Sequence, residues 1–331
     1  MKKSGLSVTS VIFFLAFASS PMRGAEAKTY FAYISDSPSS SVVYWMAKEA
    51  GLFGKHGLDV ELIFINGSTR GIQSLISGDV PFTSAVGTAV INGRLAGGDI
   101  AIINSLTNTL PYYIFGRPEI KSPEDLRGKS AAMHIPGTAA DFALRLALKG
   151  VGLSLKDVKG VTVGGGPARV AAVMSGQLDF TVGPEGEKIR GEKGGLKVII
   201  DMAKLNIPFQ FTCTVATRKM IRENPDMTRR VVRAMAEAVH YFKTNKERTI
   251  GVMQKYTRGE SRDFLAEVYE AQKQLLVDDT YPTMEGLRNT LEIQATLDPK
   301  AAKAKPEDFV DLRFVDELKK SGFLEKLYGK R

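Results

Sequence analysis

The chain has 331 residues, of which 44% are hydrophobic and 24% charged, and its formal net charge is +9 at pH 7. This composition is typical of a folded globular protein and excludes a disordered or collagen-like chain. Cys213 is the only cysteine, which excludes an internal disulfide and a multi-cysteine metal site. At about 100–200 residues per domain, the length allows two lobes that each bury a core.

The chain begins with the pattern of an export signal. Two lysines precede an apolar run over residues 8–18, and an Ala-Glu-Ala triplet ending at Ala27 provides a small-x-small cleavage pattern. The run is well short of the about 20 apolar residues that a membrane-spanning helix needs. We therefore expect cleavage near Ala27 and a mature protein that is periplasmic and soluble.

The positive charge is spread along the chain. Removing residues 1–27 takes away three basic residues and one acidic residue, which lowers the net charge from +9 to +7. The remaining basic residues are interspersed with acidic ones and form no aromatic–basic clusters, so nucleic acid is not an expected partner. An excess of positive charge still favours small anionic partners through long-range attraction.

Short apolar runs alternate with helix-like stretches from residue 28 to about residue 217, which is the pattern of βαβ units on parallel sheets. Eight strands are predicted, at residues 30–34, 60–65, 81–86, 100–106, 130–135, 160–163, 179–182 and 197–200. Helices are predicted to begin near Ser41, Ser68, Gly87, Ser122, Thr138, Ala168 and Glu185.

The pattern becomes helical after about residue 221. Asn224 and Pro225 open a long helix in which apolar residues recur at three- and four-residue steps. Further helices are predicted over residues 261–276, 283–296 and 306–318. The C-terminal third is therefore expected to be helical.

A weak internal repeat relates residues 77–83 to residues 175–181. Both segments follow a predicted amphipathic helix, contain a glycine suited to a helix C-cap, and lead into a strand. The repeat predicts two similar α/β lobes with the same helix-to-strand corner. The alternative is that any two such corners look alike.

Motifs of catalysis and of cofactor binding are missing from the sequence. The glycines at 164–166 lack the spacing and the lysine of a phosphate-binding loop. The three histidines lie far apart without metal-ligand spacing, and no Gly-x-Ser-x-Gly elbow occurs. Cys213 has no local reason to be activated and is expected to be a small core residue. We predict no catalytic residue, no metal site and no cofactor.

Small hydroxyl residues and glycines follow five predicted strands. In open α/β sheets such turns lie at the carboxyl ends of the strands, where ligands bind. The helix N-termini there offer free N–H groups and the positive end of a dipole. Each turn alone fits an N-cap equally well, but five turns on one edge favour a ligand site. The turns are at residues 35–41, 66–69, 84–88, 136–138 and 183–185.

Residues 44–60 carry the most specific motif of the sequence. They read Tyr-Trp-Met-Ala-Lys-Glu-Ala-Gly-Leu-Phe-Gly-Lys-His-Gly-Leu-Asp-Val. This segment resembles the opening motif of substrate-binding proteins of ABC importers, in the nitrate, sulfonate and taurine branch. Pro81 departs from the Asp that is usual before the third strand, and residues 133–136 are less glycine-rich than usual. Further motifs in the family's order lie at 66–68, 75–79, 126–129, 152–158, 174–179 and 224–225.

The resemblance implies an α/β fold of two lobes, the periplasmic-binding-protein fold of type II-like form. Each lobe would be a mainly parallel sheet flanked by helices, with the helical C-terminal third added to the first lobe. Residues 28–111 and 213–331 would form lobe 1, and residues 112–212 would form lobe 2. The chain would cross between the lobes near residues 109–115 and 208–214.

The resemblance also implies a function in transport. The protein would bind a small molecule in the cleft between the lobes, would catalyse nothing, and would deliver its ligand as a monomer to an ABC permease with its ATPase. Helix N-termini that meet across the cleft, at residues 66–68 and 136–138, would favour an anionic ligand. By family position the candidate cleft residues are Ser37, Ser39, Trp45, Gly67, Ser68, Ser84, Gly87, Thr138 and Glu185.

Two other functions remain open for the same fold. The protein could be an exported ligand-sensing partner of a membrane receptor, or an exported enzyme. The enzymatic thiamine-pyrimidine synthase group shares the fold but uses a cysteine-rich motif, which a chain with one cysteine does not match.

Overall fold

Two mixed sheets flanked by helices organise the chain. The computed structural model describes residues 28–136, 138–202, 204–205, 207–295 and 298–329. The predicted export signal, residues 1–27, lies outside the described residues.

The strands of the described part of the chain are β1 (Thr29–Tyr33), β2 (Val60–Phe64), β3 (Phe82–Ala85), β4 (Ile100–Thr109), β5 (Tyr112–Gly116), β6 (Ser130–Met133), β7 (Lys159–Thr162), β8 (Phe180–Pro184), β9 (Lys197–Asp201) and β10 (Pro208–Thr217). The α-helices of the first two thirds are α1 (Pro38–Glu49), α2 (Leu52–Lys55), α3 (Ser68–Ser77), α4 (Gly87–Leu95), α5 (Ala139–Gly150), α6 (Gly166–Met174) and α7 (Glu185–Lys193). Those of the last third are α8 (Arg218–Glu223), α9 (Pro225–Thr244), α10 (Lys246–Tyr256), α11 (Arg262–Leu275), α12 (Met284–Gln294), α13 (Arg313–Lys320) and α14 (Phe323–Tyr328).

The two sheets share one plan. The first has the strand order β2-β1-β3-β10-β4 and the second has the order β7-β6-β8-β5-β9. In the first sheet β10 runs antiparallel to both of its neighbours, and in the second sheet β5 does the same. The other four strands of each sheet run in one direction. The prediction of two α/β lobes, each built on a mainly parallel sheet, is confirmed.

The antiparallel strands β5 and β10 were not among the eight predicted strands. They fall where the sequence predicts the chain to pass between lobes, and each is the first strand after a passage: β5 follows residues 110–111, and β10 follows residues 202–207. Every residue of β10 except its two end residues is buried. The predicted lobe boundary between residues 212 and 213 falls inside β10, which pairs with β4 from Pro208 onward.

Most predicted helix starts agree with the structure because their signals are local. α3, α4 and α7 begin at the predicted residues, while α1 begins at Pro38, three residues before the predicted start. The Ser-Pro-Glu-Asp segment forms only a 3₁₀ turn, Pro123–Leu126, although Asp125 accepts the capping hydrogen bond from Ser122 N–H at 2.9 Å. α10 is a helix that the sequence analysis did not predict.

The internal repeat corresponds to the same corner in both sheets. Gly78 ends α3 and Gly176 follows α6, with positive φ angles of 88° and 77° that glycine adopts without strain. The corners lead into β3 and β8, which hold the third position in their sheets. The prediction of two lobes with a common helix-to-strand corner is confirmed.

The first sheet is buried on both faces. One face packs against α3, α4 and α12. The hydrophobic core between them continues into that of the second sheet. The other face is covered by α1 and by the C-terminal helices α9–α11. Cys213 is fully buried in β10, where its Sγ lies 3.3 Å from the carbonyl oxygen of Ala85, and burial raises the pKa of its thiol. The prediction of a small core cysteine is confirmed.

Candidate ligand-binding cleft

A cavity of about 370 Å³ opens between the two sheets, at the carboxyl ends of β1, β2, β7 and β8. It is lined by Tyr33, residues 36–39 and Phe64, by Pro167 of α6, by Gly186, Glu187 and Arg190 of α7, and by residues of the segment 256–268. This volume lies at the lower end of the range for small-molecule sites. The cavity is our candidate functional site, and we call it the cleft.

The start of α1 presents backbone and hydroxyl donors to the cleft. Ser37 is the N-cap residue, but its side chain forms no capping hydrogen bond. Its backbone N–H donates to Ser35 Oγ at 3.0 Å, and Ser41 Oγ donates to the Ser35 carbonyl oxygen at 2.6 Å, so this turn is held from within. The first N–H groups of a helix have no partner inside the helix. The Ser37 hydroxyl and the N–H of Ser39 have no hydrogen-bond partner among the described residues and are therefore available to a ligand.

Aromatic rings form one wall of the cleft. Tyr33 and Phe64 contribute from the first sheet, with ring centroids 5.4 Å apart, and Tyr256 contributes from the end of α10. Trp45 lies behind them, fully buried, and its ring stacks on Tyr256 at 4.7 Å and meets Tyr33 edge-on at 6.0 Å. The Tyr256 hydroxyl donates to Glu49 Oε1 at 2.9 Å, which fixes the ring. This wall is rigid and shaped for an apolar surface.

Charged side chains line the opposite part of the cleft. Arg190 of α7 pairs with Glu260, and its guanidinium lies 5.2 Å from the centre of the Phe264 ring. Arg258, which has a φ angle of 55°, is exposed and forms no hydrogen bond or ion pair among the described residues. Asp36 lies at the other side, in the turn between β1 and α1. Among the described residues, Arg258 thus offers a free guanidinium to the cleft, alongside the carboxylates of Asp36 and Glu187.

Glu187, in the first turn of α7, is the most unusual of these groups. Burial raises the pKa of its carboxyl, and the nearby Asp36 adds to this effect, while Arg169 opposes it. Glu187 Oε2 is buried and has no hydrogen-bond partner among the described residues. Arg169 is itself buried, and its Nη atoms donate to the carbonyl oxygens of Gly164 and Val182 at 2.5 and 3.1 Å.

The structure brings two of the nine sequence-predicted residues, Ser37 and Ser39, to the cleft. Trp45 does not line it but supports two rings that do. Glu185 lies beside it in α7, where its carboxylate pairs with Lys188 at 2.7 Å.

The other predicted residues are engaged within their own lobes. Ser68 Oγ accepts from Val86 N–H at 3.3 Å, and Ser84 Oγ accepts from Ile34 N–H at 3.1 Å. Thr138 caps α5 by accepting from Asp141 N–H at 3.3 Å. Gly67 is the N-cap residue of α3, with a φ angle of 95°, and a Cβ at Gly87 would lie 2.7 Å from the Cβ of Gln210. None of these five lines the cleft, and a role for them in binding stays a prediction; Gly137, in one of the predicted turns, lies outside the described residues.

Comparison with known protein families identifies the family of this chain. Residues 39–249, more than half of the sequence, match the family model described as NMT1/THI5 like. The chain belongs to the NMT1/THI5-like family. A relative in Brucella abortus, whose name describes a candidate binding protein, is 27% identical over 238 residues, which are 68% of this chain and 70% of the relative.

Solved structures share the architecture. A protein of Bordetella bronchiseptica matches with a TM-score of 0.75 at 18% identity, over 92% of this chain and 99% of its own. The periplasmic aliphatic sulphonate binding protein SsuA of Escherichia coli matches with a TM-score of 0.74 at 18% identity, over 86% and 92%. The periplasmic nitrate-binding protein NrtA of Synechocystis matches with a TM-score of 0.72 at 14% identity, over 89% and 88%. The two-lobed periplasmic-binding-protein fold is thereby confirmed for this family member.

Sequence reasoning missed the aromatic wall and the charged groups of α7 and the 256–268 segment. It looked for hydroxyl-rich turns, and aromatic residues on helices are ordinarily core residues. The one available signal was Arg258-Gly259, a break between two helical stretches. In the part of the chain that the structure describes, no group of three or more His, Cys, Asp or Glu residues is placed to hold a metal ion. No helix among the same residues is long and apolar enough to cross a membrane.

Proposed function

We propose that this protein is a periplasmic solute-binding protein that captures a small organic molecule in the cleft and delivers it to an ABC permease with its ATPase. The observation that carries the proposal is the cleft itself, which takes walls from both sheets and from the C-terminal helices. The fold supports it, because similar structures include sulphonate- and nitrate-binding proteins of the periplasm. We include in the proposal an export signal cleaved near Ala27 and action as a monomer.

The finer part of the proposal is that the ligand carries an anionic group. The N-terminus of α1 supports this, since it adds the positive end of a helix dipole to the free donors of Ser37 and Ser39. The free guanidinium of Arg258 supports it as well. A volume of about 370 Å³ next to aromatic rings favours an organic anion over a lone inorganic one.

Closure of the cleft is part of the proposed cycle. The described chain passes between the sheets twice, through residues 110–111 and through the segment between Asp201 and Pro208. Short connections of this kind allow two lobes to rotate as rigid bodies around a ligand. We propose these two segments as the hinge and the two sheets as the cores of the lobes.

The test is to extract the ligand from gently purified protein, identify it by mass spectrometry, and screen organic sulfonates and carboxylates by thermal shift. We expect at least one compound to raise the melting temperature and to give a more compact small-angle scattering profile. Uptake into vesicles that hold the permease and its ATPase should then require the protein. Chemical conversion of the bound compound would contradict a pure transport function, and saturation without compaction would contradict closure.

A further inference from the structure

A second cavity, of about 450 Å³, borders the passage from β9 to β10. It shares no lining residue with the cleft. Its walls are α5, residues 153–155, the end of the passage at Ile207 and Pro208, and the second half of α12. Residues 153–155 precede β7, so this cavity lies toward the amino end of that strand, whereas the cleft lies at its carboxyl end. We call it the hinge pocket.

The hinge pocket takes its walls from both lobes. α5 and residues 153–155 follow β6 of the second sheet, whereas α12 packs on β10 of the first. Asn289 Nδ2 donates to the carbonyl oxygen of Pro208 at 3.1 Å, which ties α12 to the start of β10. On the side of α5, the ring of Phe142 stacks on that of Phe209 with centroids 4.8 Å apart. A molecule in the pocket would therefore contact both lobes beside the proposed hinge.

The interior of the hinge pocket is apolar. Phenylalanine, leucine, isoleucine and proline side chains supply more than half of its lining residues. Two of its polar side chains are already engaged: Asn289 with Pro208, and Ser154 Oγ, which donates to Asp157 Oδ2 at 2.8 Å. Small-molecule sites of roughly 300–1,000 Å³ have this composition, with a few polar groups in an apolar lining. The interior thus suits a hydrocarbon body.

Two basic side chains of α5, Arg145 and Lys149, line one edge of the hinge pocket. Residues four apart on a helix are neighbours on one face. Lys149 is exposed, and its side chain forms no hydrogen bond or ion pair among the described residues. Arg145 Nε donates to both carboxylate oxygens of Asp141 at 3.1 Å. Among the described residues that line the pocket, the one acid is Glu292, which lies on α12. The edge at α5 therefore favours an anionic head group.

We propose that the hinge pocket binds an amphipathic organic anion of the medium-chain carboxylate class. Its hydrocarbon chain fills the pocket, and its carboxylate lies at Lys149 and Arg145. A ligand favours the arrangement of a protein that it binds more tightly. In the arrangement that forms this pocket, Arg190 and Glu260 also join the two walls of the cleft. The occupant therefore stabilises the closed cleft. This coupling rests on the proposed closure, whereas binding in the hinge pocket does not.

Calorimetric titration of the purified protein with sodium octanoate tests the binding. Hexanoate and butyrate are compared with it, and each methylene removed should weaken binding about three- to fourfold. Octylamine has the same chain with the opposite charge and should bind about five- to tenfold more weakly. Equal binding of octylamine, or no binding of octanoate, would overturn the inference.

Variants assign the binding to the hinge pocket. Leu146→Trp places a larger side chain in the pocket and should abolish binding of octanoate. Ile293→Trp fills the pocket from the opposite wall and should do the same. Lys149→Gln should weaken binding by a few fold. Lys159→Gln, an exposed lysine of β7 outside both cavities, is the matched control and should bind like the wild type. The melting temperature of each ligand-free variant reports its folding.

A cleft variant separates the two cavities. Arg258 lines the cleft and not the hinge pocket, so Arg258→Ala should keep its affinity for octanoate. Binding that survives in Leu146→Trp and Ile293→Trp but is lost in Arg258→Ala would place octanoate in the cleft and overturn the inference.

Hydrogen exchange measures the coupling. Saturating octanoate should slow backbone exchange at residues 186–190 and 256–264, which include residues of both walls of the cleft and lie outside the hinge pocket. This effect should vanish in Leu146→Trp. Slower exchange in α5 and α12 alone would overturn the coupling. None of these outcomes decides the transport proposal, which depends on the extracted ligand and on uptake.

Discussion

The two walls of the cleft are built in different ways. The wall on the first sheet is aromatic and packed from behind, with Trp45 fully buried beneath Tyr33 and Tyr256 and covered by helices of the C-terminal third. The wall on the second sheet carries charges at the start of α7, on a scaffold of glycines. The difference indicates that the first wall determines the shape of the cleft, while the second wall adds charged groups to those of Asp36 and Arg258.

The largest effect is expected in the first wall. Trp45→Ala removes a fully buried indole and should lower the free energy of unfolding by about 3–5 kcal/mol, as large-to-small core substitutions do. Urea denaturation measures the loss, and Trp45→Phe, which keeps a ring, should lose much less. A loss of about 0.5 kcal/mol or less, typical of surface positions, would mean that the wall is not rigid.

Two variants, one of a serine and one of a threonine, distinguish a residue that binds the ligand from a residue that only caps a helix. Ser37→Ala should weaken binding of the tightest compound in the panel by about tenfold, because a hydrogen bond to a charged group is lost, with no change in melting temperature. Thr138→Ala should lower stability by about 1 kcal/mol through loss of its cap and leave affinity unchanged. Calorimetry and thermal melts measure both. The reverse pattern would place the ligand at α5 instead of α1.

A smaller effect is expected from the contacts that join the walls. Arg190 of α7 pairs with Glu260, and Lys193 pairs with Glu267 at 3.3 Å, so both link the second wall to the segment around α11. These pairs are partly exposed and are worth about 0–1 kcal/mol each. Arg190→Ala should therefore expand the ligand-free protein in small-angle scattering and weaken affinity by a few fold.

The matched control for this prediction lies within one lobe. Arg262→Ala breaks an exposed pair with Glu247, which joins α10 and α11 and does not cross the cleft. It should leave the scattering profile unchanged. An equal change in both variants would show that the contacts between the walls do not hold the cleft closed.

The smallest effect concerns pH. Burial raises the folded-state pKa of Glu187 above its ordinary value of 4.5, so the folded protein binds this proton more tightly than the unfolded chain. The contribution of Glu187 to the free energy of unfolding is then fully favourable below pH 4.5, and it is lost as pH rises through the folded-state pKa. The free energy of unfolding of Glu187→Gln, measured by urea denaturation, should rise relative to that of the wild type as the pH increases from 4.5 to 7.5. A constant difference over this interval would contradict a raised pKa.

Much of the fold could be predicted because its signals are local. The alternation of apolar runs with helical stretches identified eight of the strands, and the starts at Ser68, Gly87 and Glu185 follow from turn and capping residues. The glycines at the two repeated corners need positive φ angles whatever surrounds them. These features depend on neighbours within about one turn of the chain.

β5 and β10 could not be recognised in this way. Both follow passages between the sheets, and their place is set by pairing with strands far away in sequence, such as Cys213 opposite Ala85. Gln210 and three threonines within β10 weaken the apolar run that would mark a buried strand. The partner strands supply hydrogen bonds and burial that cannot be predicted from the local sequence.

The sequence by itself determined the class of the protein, the order of most elements and the hydroxyl-rich turn at Ser37. Only the tertiary structure decided which side chains meet in the cleft, because Tyr33 and Tyr256, or Asp36 and Glu187, are separated by more than a hundred residues. Local propensity acts over a few residues, whereas a ligand site is assembled by packing. The burial that leaves Glu187 Oε2 without a hydrogen-bond partner among the described residues arises at that level alone.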